Sequence, residues 1–170
     1  VSPQVTFPGG TDPARVPVDV RFQIAEGPRT MVTGVRIDGA SALPEAELAG
    51  GLGLSVGKPF YQPQQEIDRD AVERRYRNAG FQRASVEARP LPSDDRTGVT
   101  VTYVVREGPQ TRVDHILVAG TERTSPDLVR REITLQPGGP LGYDAIIESQ
   151  QRLSALGLFR RVRITEAPHG

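Results

Sequence analysis

The chain carries two histidines, His115 and His169, no cysteine, and 21 acidic against 21 basic side chains in 170 residues. Imidazole catalysis needs an oriented partner within hydrogen-bond reach. One histidine in a strand-like run and one beside the last residue do not supply that arrangement. They do not assemble a metal site at ligand spacing either. Without cysteine there is no thiolate nucleophile or ligand and no disulfide. The glycines Gly51, Gly53 and Gly57 are spaced one residue too widely for a dinucleotide fingerprint, and they follow a helix where that motif follows a strand. Acidic side chains are spread along helical stretches as ion-pair partners, with no catalytic pair singled out. The basic doublets Arg74-Arg75, Arg130-Arg131 and Arg160-Arg161 each have acidic neighbours. With zero net charge, these read as solvated mixed-charge faces and not as a nucleic-acid footprint. No enzyme activity, cofactor, metal or nucleic acid is expected.

The backbone itself is the remaining chemistry. An unpaired strand edge presents N–H and C=O groups at regular spacing and can take up another extended chain. Which segments form such an edge depends on the elements, and these are organised by an internal repeat. Val18, Val20, Phe22 and Ile24, closed by Glu26-Gly27-Pro28, match Val99, Val101, Tyr103 and Val105, closed by Glu107-Gly108-Pro109, at an offset of 81 residues. Both runs alternate strictly, the signature of a half-buried strand, and both stop at a glycine and a proline. The offset continues through Val35, Ile37 and Gly39 against Ile116, Val118 and Gly120, then Leu48 against Val129 and Leu54 against Leu135. It ends with Val56-Gly57-Lys58-Pro59-Phe60 against Pro137-Gly138-Gly139-Pro140-Leu141. After that the second copy is shorter by about four residues, so Tyr76, Gly80 and Phe81 match Leu153, Gly157 and Leu158.

Two helices are expected between the strands of each copy. The first is short, with Leu48 and Leu52 as its apolar stripe in copy one. In copy two, Ser125-Pro126 forms its start and Leu128, Val129 and Ile133 its stripe. The second is expected over residues 62–79, with Ile67, Ala71, Val72 and Tyr76 on one face, i,i+4 pairs Asp70–Arg74 and Glu73–Arg77, and Gly80 closing it. Ile146, Ile147, Gln150 and Leu153 play the same part in copy two, closed by Gly157. A strand near residues 84–91 and the strand 99–105 form a hairpin, giving a unit of strand, helix, helix, strand, strand. Residues 4–7 and 16–24 read as the trailing hairpin of a preceding unit. Copy two reaches a second strand at 159–164 and contains no third. The expected division is 1–27 for the hairpin, 28–108 for a complete unit and 109–170 for a unit lacking its third strand.

These motifs, in this order and repeated, resemble the polypeptide-transport-associated (POTRA) domains of the BamA and TamA outer-membrane assembly factors. The carrying residues are Val35-Arg36-Ile37-Asp38-Gly39, the 56–60 loop, Tyr76 to Phe81, their counterparts in copy two, and the two Glu-Gly-Pro ends. The resemblance implies an α+β fold of tandem βααββ modules. Each would have two antiparallel helices over a three-stranded mixed sheet whose third strand is central. It further implies a periplasmic location in an outer-membrane protein, ahead of a C-terminal membrane barrel. The implied partners are unfolded outer-membrane or secreted polypeptides and partner lipoproteins or other periplasmic proteins.

On this reading the binding edge comprises Ser85, Val86, Glu87, Ala88, Arg89 and Leu91 in copy one, and Arg161, Val162, Arg163 and Ile164 in copy two. The exposed arginines Arg89 and Arg163 guard the edge against indiscriminate pairing. The apolar run at 16–24 suits the missing third strand of copy two, so head-to-tail self-association of the 170-residue chain is expected. Other readings are the POTRA region of a two-partner secretion transporter, a single-spanning cell-division protein, and an enzyme with a site between units. The tandem repeat opposes the cell-division reading, and the want of a nucleophile, base or metal cluster opposes the enzyme. No apolar run approaches the ~20 residues that span a bilayer as a helix.

Overall fold

A computed structural model describes residues 2–6, 19–23, 29–121 and 124–167. Strand β1 (Ser2–Thr6) pairs antiparallel with β2 (Asp19–Gln23), and neither joins another sheet among the described residues. Val20 and Phe22 of β2 are 51% and 62% exposed, so the apolar alternation here lies open. Val16, Val18 and Ile24, assigned to the same face from the sequence, lie outside the described residues.

The first unit then runs β3 (Met31–Asp38), α1 (Glu45–Ala49), α2 (Gln62–Asn78), β4 (Ser85–Pro92) and β5 (Gly98–Arg106). The sheet order is β3-β5-β4, with β5 parallel to β3 and antiparallel to β4. The strand expected to be central is therefore central. Its alternation explains why: Val99, Val101, Tyr103 and Val105 are all buried, and they pack with Val32 and Ile37 of β3, Leu48 of α1 and Val72 and Tyr76 of α2. The core lies between the helices and one face of the sheet. A bulge between Val32 and Gly34 shifts the register of β3 by one residue, so Val32 and Ile37, five apart in sequence, face the same core.

Helix α2 differs from the sequence reading on its buried face. Ile67 is 58% exposed, and the inward positions are Gln65, Asp68, Val72 and Tyr76. The reason is polar. The loop before α2 has backbone N–H groups that need an acceptor, and the Asp68 carboxylate takes them from Gly53 at 2.7 Å and Leu54 at 2.8 Å. Gln64 Nε2 and the Tyr103 hydroxyl also donate to it, at 2.9 and 3.4 Å. Rotating Ile67 inward would take Asp68 away from these donors. Of the two expected ion pairs, Glu73–Arg77 forms at 2.5 Å, whereas Asp70 pairs with Arg69, and Arg74 reaches Asp144 of the second unit.

The second unit has α3 (Pro126–Glu132) and α4 (Tyr143–Ala155). The Ser125 hydroxyl accepts from the Asp127 N–H and caps α3 as expected. Copy two is shorter because α4 has 13 residues against 17 in α2, the loss of about one turn. Its inward face is Ser149 and Leu153, not Ile147 or Gln150, which are exposed. Ser149 stands 81 positions after Asp68 and does the same work, accepting from the Thr134 N–H at 2.9 Å.

Neither residues 116–118 nor residues 159–164 form a strand. The first unit supplies the reason. Its β3 and β4 do not pair with each other and are joined only through β5, and among the described residues copy two has no such middle strand. The side chains nonetheless keep their alternation: Ile116 and Val118 are half-buried around an exposed Leu117, and half-buried Val162 and Ile164 alternate with exposed Arg161 and Arg163.

Candidate polypeptide-binding edge and the joint that orients it

Strand β4 is the free edge of the first sheet, since among the described residues it pairs with β5 alone. The opposite edge is closed where β3 begins. Val32 N–H donates to Lys58 O at 2.8 Å, Gly57 N–H to Val32 O at 2.9 Å, and Phe60 N–H to Thr30 O at 2.8 Å. The loop 57–60 thus lies along the start of β3 like a further short strand, with Met31 bridged to Pro59. The same three bonds recur 81 residues on, as Val113 to Gly139, Gly138 to Val113 and Leu141 to Thr111. This docking is why the 56–60 and 137–141 loops match in sequence. Sequence reasoning noted the match and missed its cause.

Of the residues assigned to the edge from sequence, Ser85, Val86, Glu87, Ala88, Arg89 and Leu91 lie in β4. Val86 is buried against the core and Ala88 half-buried beside it, while Glu87, Arg89 and Leu91 are exposed. Glu87 and Arg89 form an ion pair at 2.8 Å on the open face. That partnership holds the Glu87 carboxyl below its ordinary range. Arg161, Val162, Arg163 and Ile164 lie outside any strand; Gln150 Nε2 of α4 donates to Val162 O at 3.4 Å. The structure does not bring the two groups together in one sheet.

The third-strand ending Glu107-Gly108-Pro109 has a further role. Burial alone would push the Glu107 carboxyl up, but hydrogen bonds outweigh it and hold the group down at about 2. They come from Ala42 N–H at 2.8 Å, the Ser41 hydroxyl and N–H at 2.6 Å, and the Tyr76 hydroxyl at 3.0 Å. One carboxylate thereby ties β5 to the loop after β3 and to α2. Because its acidity is raised on folding, its contribution is full above the ordinary value of 4.5 and fades as pH falls toward about 2. Glu107→Gln is expected to lower stability at neutral pH by about 1–2 kcal/mol, the scale of charge-assisted bonds at a half-exposed site. It is also expected to flatten the pH dependence of the urea midpoint in that acid window. An equally steep acid limb in the variant would assign the slope to other carboxylates.

The second unit meets the end of α2. Arg74 Nη2 and Nε reach the Asp144 carboxylate at 2.8 and 3.0 Å, and Asn78 Nδ2 donates to it at 2.7 Å. Asn78 Oδ1 accepts from Asp144 N–H at 2.9 Å, closing a reciprocal pair. Thr111 N–H donates to Gly80 O at 2.8 Å, Gln110 Nε2 to Ala79 O at 2.9 Å, and Gln82 Nε2 to Leu141 O. The Gln110 side chain and the Thr111 backbone N–H thereby satisfy carbonyls that the end of α2 would otherwise leave open.

Among the described residues there is no cluster of three or more side chains able to hold a metal ion, and no helix is long and apolar enough to cross a membrane. His115 sits beside Asp114 at 2.9 Å on an exposed surface, and His169 lies outside the described residues.

A three-stranded mixed sheet under two helices, followed by a second pair of helices with the same loop docking, defines a tandem polypeptide-transport-associated protein. The chain belongs to the POTRA family, whose model, described as "Surface antigen variable number repeat", matches residues 30–108 and 111–169. A curated relative, the outer membrane protein assembly factor BamA of Neisseria meningitidis serogroup B, is 25% identical over 150 residues, covering 88% of this chain and 19% of its own length. The chain thus spans about a fifth of that relative. The crystal structure of Haemophilus influenzae BamA POTRA3-5 superimposes with a TM-score of 0.62 at 21% identity, over 95% of this chain and 63% of that one. BamA from Haemophilus ducreyi lacking POTRA domains 1-3 gives 0.68 at 23% identity, over 79% of this chain and 26% of that one. At these identities the two structures establish the shared fold.

Proposed function

We propose that this chain is a periplasmic polypeptide-binding scaffold of an outer-membrane protein assembly factor. It receives unfolded outer-membrane or secreted polypeptides and docks periplasmic partner proteins by strand addition at β4. The observation that carries the reading is the asymmetry of the first sheet. Its β3 edge is capped where it begins by the 57–60 loop, and its β4 edge is left without a partner strand among the described residues. Backbone pairing gives affinity without demanding a particular client sequence, which suits a receiver of many polypeptides. The similarity to a protein named as an outer membrane protein assembly factor supports the same role.

Extended, apolar-rich peptides are expected to shift the amides of β4 in a chemical-shift titration, with Kd in the high micromolar to millimolar range. Shifts confined to loops would overturn strand addition. Val86→Pro deletes one outward donor and is expected to weaken binding by about fivefold to tenfold, one net hydrogen bond. Circular dichroism would verify that the variant remains folded.

The 170-residue polypeptide is also expected to self-associate. Val20 and Phe22 are exposed on a hairpin that matches β5, and the described residues of the second unit include no strand of that kind. Light scattering at high concentration is expected to show higher species that vanish when residues 1–27 are removed. Equal monomeric masses for both chains would rule the exchange out.

A further inference from the structure

The free edge of β4 is not uniform along its length. Ser93 N–H donates to Gly98 O at 2.8 Å, just past the end of the strand. From that pair the register runs back through Leu91↔Thr100, Arg89↔Thr102, Glu87↔Val104 and Ser85↔Arg106. In an antiparallel ladder the direction of the backbone groups alternates residue by residue. The odd-numbered residues of β4 therefore commit their N–H and C=O groups to β5. Val86, Ala88, Pro90 and Pro92 turn theirs to the open side. The prolines agree with this phase, because at an odd position each would delete a donor from the ladder itself.

Two of the four outward residues thus have no N–H. On the other flank, the Ala84 N–H is taken by Phe81 O at 3.0 Å. The edge offers donors at Val86 and Ala88 and acceptors alone from Pro90 onward. A chain laid along the whole strand would bring two of its carbonyls against pyrrolidine rings, desolvated and without a donor. Each such group costs more than an ordinary net hydrogen bond returns. We infer that Pro90 and Pro92 close the C-terminal half of the β4 edge and confine strand addition to residues 85–89. The partner is then a short extended segment pairing at Val86 and Ala88. It would place an apolar residue on the α2 side, beside Val86 and Ala88, and polar residues on the open side, beside Glu87 and Arg89.

This inference rests on the strand-addition reading, and the experiment separates the two. Peptides of ~5 and ~9 alternating residues, long enough for half or all of the strand, are titrated into the full chain and into a Pro90→Ala, Pro92→Ala double variant. Both prolines are exposed on an edge strand, where alanine restores an N–H without disturbing the β5 ladder. In the wild type, peptide-induced protection from hydrogen exchange is expected at Val86 and Ala88, with nearly equal Kd for the two lengths. In the double variant, the longer peptide is expected to bind about tenfold tighter than the shorter, the return of two outward hydrogen bonds. The amide restored at position 90 is expected to become protected. A wild-type chain that already prefers the longer peptide by that factor would overturn the inference while leaving strand addition intact. So would a variant showing no length preference. If neither protein shows protection anywhere in β4, strand addition itself fails, and the inference falls with it. The wild-type length comparison stands whether or not the double variant folds.

Discussion

Tyr103→Asp is expected to abolish cooperative folding of the first unit. Tyr103 is fully buried in the middle of the central strand, between Val101 and Val105, and its hydroxyl lies 3.4 Å from Asp68 Oδ2. The substitution removes the ring, opens a cavity and sets a second carboxylate near Asp68, which already serves the buried loop before α2. Either the new acid is protonated at a cost or the core opens to water. Lost packing and a buried charge together amount to about 5 kcal/mol or more, comparable with the whole stability of a domain this small. Amide spectra of residues 29–106 should collapse to the random-coil range. Tyr103→Phe, which loses one long hydrogen bond, should cost about 1 kcal/mol and keep the spectrum. An unchanged melting temperature for Tyr103→Asp would mean that the strand face is assigned wrongly.

Gly80→Ala is expected to loosen the joint between units. Gly80 has a φ of +91°, and a Cβ there would lie 2.5 Å from Thr111 O and 3.1 Å from Pro140 Cβ, both in the second unit. The left-handed backbone costs an alanine about 1–2 kcal/mol. Relieving the clash also breaks the Thr111-to-Gly80 hydrogen bond, worth about 1 kcal/mol more. The core residues Val72 and Tyr76 are untouched, so the first unit should remain folded while the second reorients. Residual dipolar couplings should then fit two alignment tensors instead of one. Gly157 is the internal control. It closes α4 at φ +66°, with nothing within 4 Å of a Cβ, so alanine there costs the backbone strain alone. A single tensor for Gly80→Ala would show that the Arg74, Asn78 and Asp144 cluster holds the joint unaided.

Arg74 illustrates how a surface charge is drawn into the joint between the units. Its i,i+4 partner in sequence is Asp70, yet its guanidinium goes to Asp144, 70 residues away, and the same partnership holds the Asp144 carboxyl below its ordinary range. An intrahelical pair is worth a few tenths of a kcal/mol, so a partner that also accepts from Asn78 readily outcompetes it.

The sequence by itself determined the repeat, the order of elements in the first unit and the buried face of its third strand. The strict alternation of Val99, Val101, Tyr103 and Val105 admits one buried face, whereas the central place of that strand was implied by the family resemblance and seen in the sheet order. The sequence also placed a strand near residues 84–91, but which way Pro90 and Pro92 turn their backbone was fixed only by the register with β5. Tertiary structure decided the rest. Hydrophobic spacing placed Ile67 inward, but the need of the Gly53 and Leu54 N–H groups for an acceptor turned Asp68 there. Spacing gave residues 116–118 and 159–164 the pattern of strands, but pairing is a property of neighbours, and among the described residues copy two lacks the one that would join them. The docking of the 57–60 loop on β3 was decided only in three dimensions, for the same reason. Local sequence carries propensity and periodicity, whereas a hydrogen bond between residues far apart along the chain exists only after the chain has folded.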